Sequence, residues 1–186
     1  MLTALSGNLQ KLARGWLVLL LLAIQIIFMV VILPFAETAL GEGSGRATPI
    51  DQQFFYTPEK SYALISTYTA EGRDLYRLFE LTGDIVYPCV YSLFLSFFIS
   101  WLFKRGMPSR SRLLKLNLVP LGAGCCDILE NVCIAVMVSL YPSAAPGVSW
   151  LGTAFTMLKW LLLGASLVIV IGGAAAAIKA KLAKKL

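Results

Sequence analysis

Apolar residues gather along this chain into four long runs, with neither the period-two alternation of a membrane barrel nor any internal repeat. The runs cover about residues 16–36, 83–103, 116–140 and 150–178. Each reaches roughly the 20 residues that a helix needs to cross about 30 Å of hydrocarbon. The pattern predicts an all-α membrane protein: one domain over 1–186, a four-helix transmembrane bundle with a short helical cap in the 37–82 loop. The first run could be read as a cleaved signal peptide behind Lys11 and Arg14. Its apolar run is longer than a usual signal-peptide core, and no clean small-x-small cleavage site follows Pro34, so it is taken as a span.

Composition agrees: 58% of residues are hydrophobic and 14% charged, where a soluble domain carries about 25% charged. A soluble enzyme, a disordered tail and a disulfide-framework domain are excluded. With no His, His-based triads and His-ligated metal sites are excluded too. The sequence offers neither a metal-ligand set nor a cofactor motif, so none is expected.

Charge sorting gives an orientation. Lys11 and Arg14 precede the first run; Lys104, Arg105, Arg110, Arg112 and Lys115 join the second to the third; Lys179, Lys181, Lys184 and Lys185 end the chain. These eleven of sixteen bases have no acid among them, whereas 37–84 holds eight acids against four bases. The positive-inside rule then places both termini in the cytoplasm and the 37–82 loop outside. The net charge of +6 reads as topology and attraction to anionic lipid, not as nucleic-acid binding.

Within the loop, Gly41, Gly43, Gly45 and Pro49 predict an irregular stretch, and Phe54-Phe55-Tyr56 an interfacial anchor. Thr57-Pro58-Glu59 has the order of an N-cap, a first-turn proline and a first-turn acid, predicting a helix to about Tyr68 that lies on the membrane or lids the bundle. Thr69 can cap another helix, with no strong breaker before Pro88, so it is expected to run straight into the second span. Arg73, Arg77, Glu80, Asp84, Tyr87 and Tyr91 recur at intervals of four and three on one face. A solvated, ion-paired face explains Arg73 to Glu80 but not the continuation into the span.

The third run carries Asp127, Glu130 and Asn131 on one helical face, and the fourth carries Thr156 and Lys159 on another. Two acids and a lysine facing lipid in charged form would cost on the order of 8–10 kcal/mol on insertion scales. They must therefore face inward and pair, with Lys159 bridging to Asp127 or Glu130. One buried pair would suffice to fix helix register. The surplus of polar groups points instead to a ligand, substrate or proton site. The remaining signals read as packing: small residues at Gly122, Gly124, Gly164, Gly172 and Gly173, four Cys without C-x-x-C spacing acting as buried small hydrophobes, and Pro34, Pro88 and Pro120 as candidate kinks.

Collected, the motifs are Gly72-Arg73-x-x-Tyr76, Asp84-x-x-x-Pro88-x-x-Tyr91, Asp127-x-x-Glu130-Asn131 and Thr156-x-x-Lys159. This pattern resembles that of small four-span membrane proteins of bacteria, over roughly residues 60–165. The resemblance implies the bacterial cytoplasmic membrane and carries no activity with it. A four-helix sterol-isomerase architecture, with buried carboxylates under a membrane-facing opening, is an analogy without a matching motif.

The expected function is binding, or acid–base processing, of a membrane lipid or small amphipathic ligand in a polar pocket in the outer half of the bundle. Asp127, Glu130 and Lys159 would carry any chemistry. Asp84, Tyr87, Tyr91, Asn131 and Thr156 would orient the ligand, and Arg73 and Arg77 would meet an anionic head. The alternatives are an accessory subunit docking onto a membrane-protein partner or a second copy, and a proton path. That path finds only Asn117, Gln25, Ser96 and Ser166 to continue it.

Overall fold

The structure is a computed structural model describing residues 2–34, 49–109 and 111–183. The loop glycines, Glu37, Glu42, Arg46, Arg110, Lys184, Lys185 and the last two residues of the first expected span lie outside the described residues. The described chain is helical throughout, without strands. Four of its helical segments are long and apolar enough to cross a membrane.

A short helix, α1 (Leu2–Leu12), precedes α2 (Gly15–Ile27), which continues as a π-helical turn over Phe28–Ile32. The 37–82 region supplies a 3₁₀ turn at Ile50–Gln52, then α3 (Pro58–Thr67) and α4 (Ala70–Glu80). The remaining long helices are α5 (Gly83–Gly106), α6 (Val119–Leu140) and α7 (Pro146–Ala183). Helices α5, α6 and α7 pack on one another, while α2 leans chiefly on α5.

Local chemistry accounts for the element boundaries. The Thr57 side chain accepts from the Lys60 N–H at 3.3 Å and that of Thr69 from the Gly72 N–H at 3.0 Å, so α3 and α4 begin where capping residues satisfy free donors. The expected continuous helix from Thr69 into the second span is broken: the chain turns at Leu81–Thr82, and Thr82 has a non-helical backbone. Gly83 lets the Phe79 ring close over that turn, since a Cβ there would lie 2.6 Å from it. Pro120 falls in the first turn of α6, where a missing N–H costs nothing, and so is not a kink.

Pro88 sits inside α5 and cannot donate to the Asp84 carbonyl one turn earlier. The buried Asn131 amide of α6 donates to that carbonyl instead. Close approach needs small residues at Gly124, where a Cβ would meet Ser92 Oγ at 2.8 Å, and at Gly106, where it would meet the α7 backbone at 2.5 Å. Gly173 accommodates the Phe103 ring in the same way, but Gly164 and Gly172 have nothing within reach and do not serve packing within the chain. Cys89 and Cys125 are exposed on the helix surfaces; only Cys126 of the four is buried.

One end of the bundle is capped. Ile50, Tyr56, Ile65, Tyr68 and Tyr76 pack on Ile134, Met137 and Val138 of α6. Tyr56 thus departs from the expected anchor: its backbone N–H and C=O both bond to the Thr153 hydroxyl, and its side chain is buried while Phe54 and Phe55 stay half exposed. At the opposite, basic end, α1 is latched through Asn117. Its amide donates to the Ser6 carbonyl at 3.2 Å and Ser100 Oγ at 2.8 Å, and its oxygen accepts from Ser6 Oγ at 2.8 Å.

Candidate functional site

Helices α6 and α7 bring Asp127, Glu130 and Lys159 together. Thr156 and Lys159, three residues apart on α7, face Asp127 and Glu130, three apart on α6. Lys159 Nζ lies 3.1 Å from Asp127 Oδ1 and 2.7 Å from Glu130 Oε2, the latter an ion contact outside hydrogen-bonding geometry. The other oxygens are also met: Tyr91 donates to Asp127 Oδ2 at 2.9 Å and Thr156 to Glu130 Oε1 at 2.7 Å. Buried charges are costly unless paired, which explains why three hydrogen bonds and one ion contact converge on two carboxylates.

The cluster forms one wall of a cavity of about 620 Å³ between α2, α5 and α7. The polar lining comes from Gln25 of α2, Asp84, Tyr87 and Tyr91 of α5, Asp127 of α6 and Lys159 of α7. The cap adds Asp51, Tyr76 and Glu80. Apolar walls come from Leu22, Ile26, Met29 and Leu33 on α2 and from Trp160, Leu163 and Leu167 on α7. Ile26, Met29, Trp160 and Leu167 are about half exposed, so the cavity opens sideways between α2 and α7 onto the surface that lipid would cover. Inside, the Tyr87 and Tyr91 rings meet edge to face at 5.4 Å, and Tyr87 accepts from the Gln25 amide at 3.1 Å.

The expected site residues divide into three sets. Asp84, Tyr87, Tyr91, Asp127 and Lys159 line the cavity. Glu130, Thr156 and Asn131 are fully buried behind it and absent from its lining. Arg73 and Arg77 are not brought to it: Arg73 donates to the Tyr68 carbonyl and covers the Tyr141 ring, while Arg77 pairs with Asp74 on the exposed side of α4.

Sequence reasoning missed Asp51 and Tyr76. The Tyr76 hydroxyl accepts from the Ile50 N–H at 3.2 Å and donates to Asp51 Oδ1 at 3.0 Å, fixing the 3₁₀ turn that presents Asp51. Burial raises the Asp51 pKa above its ordinary value, against the pull of Lys159 and the Tyr76 hydrogen bond. Glu80 stood on the 73–91 stripe but looked solvated; it is 1% exposed, and its Oε2 has no hydrogen-bond partner. Among the described residues, four carboxyl groups therefore border a cavity whose lining includes one cation.

Compared with known protein families, curated proteins and solved structures, the chain matches none.

Proposed function

We propose that this chain is an integral membrane protein that takes up a lipid-like or small amphipathic molecule from the bilayer and holds its polar head beside Asp84, Tyr91 and Asp127. The charge sorting supports an orientation with both termini cytoplasmic and the capped end outside, which sets the cavity in the outer half of the membrane. The observation that carries the reading is the cavity's two-part lining. A polar floor lies under the cap, and an apolar mouth between α2 and α7 suits a chain that stays in lipid.

Any acid–base step on a bound molecule falls to Asp127 and Lys159, which line the cavity, rather than to the enclosed Glu130. Glu130 and Thr156 hold Lys159 in place, and Asn131 serves the Pro88 break. A proton path toward the basic end is less well supported, because Ser100 and Ser166 donate back into their own helices.

The test is native mass spectrometry of protein released from lipid nanodiscs. The proposal expects about one retained amphiphile per chain, lost in Leu163→Trp, which fills the mouth. Retention of a stoichiometric protein partner with no amphiphile favours an accessory subunit and overturns the proposal.

A further inference from the structure

The geometry points to a cationic head, a protonated amine or quaternary ammonium on a lipophilic body, as the class of ligand this cavity takes. The inference rests on the proposed cavity function and adds the sign of the charge.

Lys159 is committed to Asp127 and Glu130. Beyond that triad, the cavity is bordered by Glu80 from α4, Asp84 from α5 and Asp51 from the cap. Among the described residues Glu80, 1% exposed, has an Oε2 without a hydrogen-bond partner, and Asp84 beside it in the lining is 7% exposed. A buried acid without a donor is met either by a proton or by a cation, and a cationic head lodged beside this pair would supply the second.

The rings beside them suit a cation as well. Tyr76, Phe79, Tyr87, Tyr91 and Trp160 share the lining, and aromatic faces attract ammonium groups where water is excluded. Arg73 and Arg77, the bases expected to meet an anionic head, are engaged elsewhere.

Three fluorescent probes with one body separate the cases: diphenylhexatriene, its trimethylammonium derivative and its propionate derivative. Energy transfer from the protein's tryptophans to each probe is measured in nanodiscs of zwitterionic lipid. The trimethylammonium probe should show saturable transfer, with affinity about tenfold or more above the other two, the scale of a desolvated charge and ring contact. Glu80→Gln and Asp84→Asn, both near-isosteric, should each remove most of that preference for the trimethylammonium probe. Leu163→Trp should abolish saturable transfer from every probe. Equal saturable binding of all three, or preference for the propionate, overturns the cationic head and leaves the cavity reading standing. No saturable binding of any probe, with wild-type unfolding behaviour confirmed, overturns both.

Discussion

Replacing Lys159 by methionine tests whether the buried triad is held together by its charge. Contacts of 2.7 and 3.1 Å to Glu130 and Asp127 correspond to about 6 and 5 kcal/mol of attraction at an effective dielectric of about 20. Desolvation of three charges and repulsion between the acids offset most of that. Removing the ammonium leaves two buried carboxylates whose other donors, Tyr91 and Thr156, are neutral, and loss of one partner from such a site costs about 3–5 kcal/mol. The triple variant Lys159→Met, Asp127→Asn, Glu130→Gln keeps acceptors for Tyr91 and Thr156 and removes every charge, so it should return to within about 1.5 kcal/mol of the parent. The assay is equilibrium unfolding in mixed micelles of mild detergent and dodecyl sulfate, followed by tryptophan emission. A Lys159→Met protein as stable as the parent, or a triple variant no better than the single one, refutes the reasoning.

Three further outcomes follow from other parts of the structure. Asn131→Leu leaves the Asp84 carbonyl without the donor that replaces the one Pro88 lacks, and should cost about 1–3 kcal/mol in the same assay; an unchanged midpoint contradicts it. Asn117→Leu removes the two hydrogen bonds that tie Ser6 of α1 to Asn117, with a third to Ser100, so amides of residues 2–12 should exchange with deuterium about tenfold faster or more while those of α6 do not change; equal exchange in α1 contradicts it. Asp51→Asn should stabilise the ligand-free protein at neutral pH. A carboxyl whose folded-state pKa is raised favours folding least once the pH exceeds that pKa. The difference from the parent should therefore shrink as pH falls toward the ordinary value of 3.8, and a difference independent of pH contradicts it.

The long helices were legible because length and hydropathy alone define them, and the paired acids because composition forbids them in lipid without partners. The cost of unpaired charge pointed to Lys159 pairing with Asp127 or Glu130, and Lys159 contacts both. What escaped was set by chain geometry outside the spans. The turn at Leu81–Thr82 separates Arg73 and Arg77 from the lower half of a stripe that periodicity drew as continuous. Asp51 arrives at the cavity through a 3₁₀ turn tied to Tyr76, a contact 25 residues apart that no local pattern encodes. Asn131 looked like a ligand group because the Asp84 carbonyl that Pro88 leaves open and the amide that fills it lie on different helices. Helix α1 was overlooked, although Leu2, Leu5, Leu9 and Leu12 stand at helical spacing; its latch, Asn117, was visible as an unexplained polar residue.

An amphiphile that enters sideways between α2 and α7, as proposed, lodges beside Trp160. The direct measurement is quenching of Trp160 by a brominated alkyl amphiphile in nanodiscs, with Trp16, Trp101 and Trp150 replaced by phenylalanine. Occupancy of the cavity predicts quenching that saturates near one amphiphile per chain and is displaced by an unbrominated competitor. Quenching that rises only in proportion to the bromine content of the bilayer, indifferent to the competitor, would contradict the account.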